Sequence, residues 1–155
     1  MIEAGQPAPD FTLTDQRGEP VALSQFRGTP VVLYFYPKDD TPGCTKQACA
    51  FRDARADYEK AGAKVVGVSP DDVASHRKFV EKHGLSFTLA ADPERQVCER
   101  YGVWKEKNLY GKKSMGVERT TFLIDRDGVV RKVFPRVKVD GHSDAVLEAI
   151  RSLNG

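Results

Sequence analysis

The chain has 155 residues, of which 40% are apolar and 30% charged, and its formal net charge is +2. A chain of this length can bury roughly 70% of its unfolded surface, so it needs neither a disulfide nor a metal to fold. The near balance of charge gives no electrostatic case for nucleic acid as the main partner, and no stretch approaches the ~20 apolar residues of a membrane helix.

In chain order, "FTLTDQRGEPVAL" reads as a hairpin turning at Gly18. "LSQFRG" allows one helical turn. "PVVLYFYP", Pro30 to Pro37, is a continuous apolar strand of the kind buried on both faces. Helical spacing then runs from Thr41 to Ala61, and Gly62 closes it. "AKVVGVS" is a second buried strand. A helix is predicted from Asp72 to His83, stopped by Gly84, followed by the short strand "SFTLAAD". Asp92 is placed as the cap of a helix that has Pro93 at its first position and runs to Tyr101. Residues 103–117 lack periodicity and are read as a long solvated loop containing the basic run Lys105 to Lys113. "RTTFLIDRDGVVRKVF" is a hairpin turning at Asp127-Gly128. A last helix, "HSDAVLEAIRSL", carries Val146, Leu147, Ile150 and Leu153 on one face.

There are no repeats, no low-complexity segment and no internal linker, so one domain over residues 1–155 is expected. Alternating strands and helices followed by an antiparallel pair predict a central mixed sheet with helices on both faces, an α/β sandwich of thioredoxin-like form. "MIEAGQPAPDF" has no positive n-region and no apolar h-region, which favours a cytoplasmic protein with reduced thiols. Three cysteines are too few for a disulfide framework.

Chemistry concentrates in "DDTPGCTKQAC". Thr41 suits an N-cap, and Pro42 suits the first turn, where its missing N–H costs nothing. Cys44 then falls at the third helical position, near unpaired N–H groups and the positive end of the helix dipole. Both favour thiolate, the nucleophilic form. The alternative is a capped helix whose Cys44 merely packs beside Ala48, Phe51 and Tyr58. Cys49 is open to two readings as well, a second working thiol or a bystander on the helix flank. In an ideal helix a five-residue step separates Cα atoms by about 8.6 Å, beyond the ~7 Å a disulfide tolerates. An intact helix therefore cannot join the two.

These residues resemble the peroxiredoxins, specifically the bacterioferritin comigratory protein or peroxiredoxin Q branch. Pro37, Thr41 and Cys44 match that family's Pro-x-x-x-Thr-x-x-Cys pattern, and "TKQAC" resembles the branch's resolving-cysteine arrangement. "GQPAPDFTL", "GVSPDD" and "SMGVERTTFLIDRDG" resemble its other segments, so the likeness covers nearly the whole chain. The resemblance implies a thioredoxin-dependent thiol peroxidase acting on hydrogen peroxide and organic hydroperoxides. Cys44 is then the peroxidatic cysteine, and Cys49 resolves it as a Cys44–Cys49 disulfide after local unwinding. Arg119 and the hydroxyl of Thr41 hold the peroxide, Pro42 shields the sulfur, Pro37 lies in the same pocket, and the N–H groups of Gly43 and Cys44 line it. It also implies a monomer that needs no cofactor or metal.

Other candidates stay in the background. Cys98, beside Val97 and Tyr101, reads as a packed helix cysteine. His76 and His83 lie seven apart and are read as solvated rather than metal-bound. Trp104 is expected to cover the core, with Tyr110 in the same loop, and Gln47 is set to steer the segment around Cys44. A thioredoxin-like disulfide oxidoreductase is disfavoured, because that class pairs Cys-x-x-Cys, whereas here the spacing is Cys-x4-Cys. A non-catalytic binding module on the same fold is the second rival.

Overall fold

The computed structural model describes residues 1–154. A hairpin of β1 (Thr12–Asp15) and β2 (Pro20–Ala22) is followed by a single 3₁₀ turn, Leu23–Phe26. Next come β3 (Val31–Phe35), α1 (Pro42–Asp53), α2 (Arg55–Lys60), β4 (Lys64–Ser69), α3 (Val73–His83), β5 (Thr88–Ala91) and α4 (Gln96–Arg100). The remainder is β6 (Trp104–Leu109), β7 (Lys112–Val117), β8 (Thr120–Ile124), β9 (Val130–Phe134) and α5 (His142–Asn154). Seven strands make one sheet in the order β2-β1-β5-β4-β3-β8-β9.

The order explains where the helices lie. β3, β4 and β5 are parallel neighbours, and the chain steps twice in the same direction across the sheet. Two right-handed crossovers in one direction put their helices on one face. On that face α1, α2, α3 and α5 bury Ala48, Phe51, Tyr58, Phe79, Val146, Leu147 and Ile150 against Val32, Tyr34 and Leu123. The other face packs Leu33, Phe35, Val66 and Phe122 against Phe11, Leu23 and the α4 residues Val97 and Cys98. Every residue of β3 is buried, as the unbroken apolar run requires. The sheet is mixed because β8 and β1 run antiparallel to their neighbours β3 and β5.

Three local expectations are corrected. The helix read from Thr41 to Ala61 is interrupted at Ala54, where φ is −90° and ψ is 10°. Phe51 and Tyr58 stay buried on either side of the break, so the apolar spacing runs across it and conceals it. Asp92 does cap α4, but from a distance: its carboxylate accepts from the N–H groups of Val97 and Cys98, at 3.3 and 2.8 Å. Pro93 and Glu94 therefore form a turn, and the helix begins only at Gln96. Residues 104–117 are a two-stranded ribbon rather than a loop. Its turn residues Tyr110 and Gly111 have φ of 54° and 80°, the positive values that a tight hairpin turn demands. Most of the ribbon is wet on both sides, so no apolar–polar alternation marks it. Val117 is buried, and Trp104 packs on the core, with the Arg95 guanidinium over its ring.

At the start of α5, His142 is buried and its Nε2 lies 2.8 Å from Thr121 Oγ1. Burial drives its pKa from 6.5 down to about 4, and the charge of Arg119 pushes the same way. The unfolded chain thus binds a proton that the folded chain refuses. The neutral ring's contribution is present above pH 6.5 and fades as pH falls toward about 4, a change of roughly 3 kcal/mol. Urea midpoints should fall across this window in the wild type and fall less in His142→Gln. Equal slopes for the two proteins would refute it.

Candidate active site

β3 delivers the chain to the helical face, and Pro37 to Thr41 turn it into α1. Thr41 is the N-cap residue, with extended φ and ψ of −93° and 156°, and Pro42 is the first residue of the helix. This puts Cys44 at the third helical position, as the spacing implies. Thr41's hydroxyl does not cap the helix; it donates to the Lys38 carbonyl at 2.8 Å. The first intrahelical bond runs from Thr45 N–H to Thr41 O. The N–H groups of Gly43 and Cys44 have no acceptor among the described residues and stay free for a ligand.

The Cys44 sulfur faces inward, and only 2% of the residue is exposed. Arg119, immediately before β8, reaches it across the sheet. Its Nη2 lies 3.3 Å from Cys44 Sγ, and its Nη1 donates to Gln47 Oε1 at 2.7 Å. One guanidinium therefore spans two residues of the same helix face. Gln47 is buried, its Nε2 has no partner among the described residues, and its Oε1 holds one arm of the arginine fork. The sequence hinted at Gln47 only through its place three residues after Cys44. Gly43 matters sterically: a Cβ there would stand 3.1 Å from Arg119 Nη2.

The other candidates separate clearly. Pro37 is half-buried in the turn, and Pro42 is exposed at the helix tip. Cys49 is half-buried, and all three cysteines are free thiols. The helix between Cys44 and Cys49 is intact. Cys98 is fully buried in the opposite core; burial pushes its thiol pKa well up, and the Asp92 carboxylate adds to this. That thiol is chemically quiet. His76 departs from its expected solvated setting. It is completely buried beneath the Pro37–Thr41 turn, with Nδ1 2.7 Å from Asp39 Oδ2. Asp39, Asp71 and His76 gather ligand atoms within 4.8 Å of one another, and all three side chains are already engaged in hydrogen bonds. Asp71 Oδ2 takes the Asp39 N–H and the Ser69 hydroxyl, at 2.8 and 2.6 Å.

A nearly sealed sulfur at a helix mouth, faced by a guanidinium and two free N–H groups, suits redox chemistry at cysteine on a thioredoxin-like sheet. The AhpC/TSA family model matches residues 4–133, and the chain belongs to that family. Within it the chain is similar to peroxiredoxin Bcp of Bacillus subtilis, 47% identical over 99% of this chain and 98% of the relative. Peroxiredoxin Bcp of Escherichia coli is also 47% identical, over 97% of this chain and 96% of its own. Among solved structures, the bacterioferritin comigratory protein of Xanthomonas campestris, described for its alkyl peroxide reduction activity, superposes with a TM-score of 0.92. It is 41% identical over 99% of this chain and 100% of that one. This is the Bcp or peroxiredoxin Q branch, and the activity is that of a thiol peroxidase.

Gly43→Ala should slow the oxidation of Cys44 by hydrogen peroxide about tenfold, because the added methyl displaces the arginine fork. Stopped-flow oxidation rates alongside unchanged circular dichroism would show this. A rate within twofold of wild type would mean the fork has room to move.

Proposed function

We propose that this chain is a thioredoxin-dependent peroxidase with Cys44 as peroxidatic and Cys49 as resolving cysteine. The observation that carries the reading is the 3.3 Å approach of Arg119 Nη2 to Cys44 Sγ beside two unpartnered N–H groups. The Cys44 thiolate attacks the terminal oxygen of the hydroperoxide. The O–O bond breaks, Cys44 becomes sulfenic acid, and the other oxygen leaves as hydroxide or alkoxide and takes a proton from water. Negative charge grows on that oxygen, and donors already aimed at it lower the barrier without reorganising. Thr41 has one hydroxyl proton, and Lys38 O takes it. Toward a peroxide O–H the hydroxyl can therefore act only as an acceptor. Pro42 and Pro37 close the pocket against bulk water.

The Cys49 thiol then condenses with the sulfenic acid, forming the disulfide and releasing water. The dithiol of thioredoxin reduces that disulfide, returning two thiols and taking the oxidised pair onto itself. Hydrogen peroxide and organic hydroperoxides are the substrates; the reported alkyl peroxide activity of the Xanthomonas campestris relative supports the latter. The chemistry is carried by sulfur alone, in a cytoplasmic monomer.

Coupled NADPH oxidation with thioredoxin and its reductase should be brisk for wild type and Cys98→Ser, absent for Cys44→Ser, and strongly reduced for Cys49→Ser. After limiting peroxide, mass spectrometry should find the wild type lighter by two hydrogens, with a Cys44–Cys49 peptide. Peroxide consumption that survives Cys44→Ser would end the reading, as would wild type accumulating mainly sulfinic Cys44.

A further inference from the structure

We infer that the buried His76–Asp39 pair is a positioning unit for the Thr41 hydroxyl, and through it for the bound hydroperoxide. This rests on the acceptor role given to Thr41 above. The turn from Tyr36 to Thr41 is short, yet it is held almost wholly by side chains from the β4–α3 region. Asp39 is 7% exposed, and three side chains meet its carboxylate at hydrogen-bond distance. Tyr36 Oη gives to Oδ1 at 2.6 Å, and Ser75 Oγ gives to Oδ2 at 2.8 Å. His76 Nδ1 sits 2.7 Å from the same Oδ2. The other ring nitrogen, Nε2, faces the Ala90 carbonyl at 3.2 Å. The Asp39 N–H is fixed as well, by Asp71 Oδ2 at 2.8 Å.

Fixing Asp39 at both its carboxylate and its N–H fixes the peptide that joins it to Lys38. The carbonyl of that peptide is the one that takes the Thr41 proton, at 2.8 Å. Its direction decides where the Thr41 lone pairs point. The hydroxyl makes no cap bond that would orient it instead. Stability alone does not call for such a cluster, since well-packed apolar residues commonly do as well in place of buried polar or ionic groups. Directional bonds matter where an oxygen must be aimed, and rates respond steeply to misplacement of about 1 Å. Neither His76 nor Asp39 is a catalytic residue; both act through Thr41.

The test is a mutant cycle read on the second-order oxidation of Cys44 by hydrogen peroxide. His76→Gln should slow it at least about tenfold, and the shape-preserving Tyr36→Phe at least about threefold. Thr41→Val should also be slow. In the Thr41→Val background, His76→Gln and Tyr36→Phe should each change the rate by less than about twofold, because the oxygen they aim is gone. Alkylation of Cys44 by iodoacetamide, which needs no Thr41 acceptor, should stay within about twofold of wild type in every variant. Should His76→Gln not fold, Tyr36→Phe decides alone. Wild-type rates in both variants beside a slow Thr41→Val would overturn this inference and leave the role of Thr41 standing. So would equal losses with and without Thr41, or parallel losses in alkylation. A wild-type rate in Thr41→Val would overturn that role and this inference together.

Discussion

Phe35 of β3 is paired with Thr120 of β8, and the two strands run antiparallel. From this register the site follows. β8 begins where β3 ends, so the residue just before β8 stands opposite the turn that leads into α1. That residue is Arg119. Had β8 run parallel, its first residue would lie at the far end of the sheet, and no side chain could span the distance. Backbone bonds hold Arg119 from the other side too, since its carbonyl accepts from Val137 N–H at 2.9 Å. A guanidinium fixed in this way costs little further entropy when an anion arrives. The Gly43 and Cys44 N–H groups, without acceptors among the described residues, lie in the same first turn as the sulfur.

In the proposed cycle the same helix must satisfy two opposed demands. Its first turn holds Cys44 within reach of Arg119, which requires that the turn be formed. A Cys44–Cys49 bond requires that it be lost, by the geometry of five residues on a helix. The structure suggests where resistance lies. Cys44, Gln47, Ala48 and Phe51 form the buried face, and Phe51 is the largest of them, its ring packed at a tilt against Tyr34. Further along, Arg52 Nη1 donates to the carbonyl of His83 at 2.6 Å. An unwinding that stops before Phe51 gives up a cysteine, an alanine and one glutamine–arginine bond, whereas going further gives up an aromatic anchor worth roughly 1.5–3 kcal/mol of transfer alone. Cys49 stands two residues ahead of that anchor. The proposed bridge therefore asks only for the smaller of the two costs.

Much of this was legible in the chain. "PVVLYFYP" followed by "TPGC" states a buried strand, a turn and a helix start, and each is chemically explicit: unbroken apolar residues, a proline with no N–H, a residue fit to cap. The helices with sharp stops were equally plain, Gly84 at the end of α3 being in the left-handed conformation with φ of 59°. What escaped notice lacked a local signal. The β6–β7 ribbon buries too little to imprint a period. The break at Ala54 leaves the apolar spacing intact. Arg119 and Cys44 are 75 residues apart, and only the resemblance to a family linked them, since no spacing rule can. His76 looked like an ordinary polar residue on a surface helix because its partner Asp39 is 37 residues away. Buried polar pairs of this sort are long-range in sequence and leave no mark in either segment alone.

Burial of the sulfur also constrains who can meet it. A residue 2% exposed is open to a reactant that presents a single terminal oxygen at the end of a narrow approach. It is closed to a protein thiol, whose sulfur arrives with a backbone behind it. In the proposed cycle the reductant therefore cannot act on the folded form. The unwinding that brings Cys44 to Cys49 is also the step that carries sulfur outward, and Cys49, already half-exposed with the helix intact, is the sulfur first presented. In that proposed cycle the closed helix admits the oxidant and the open one the reductant. The two states exclude each other there, so one conformational change separates the two half-reactions.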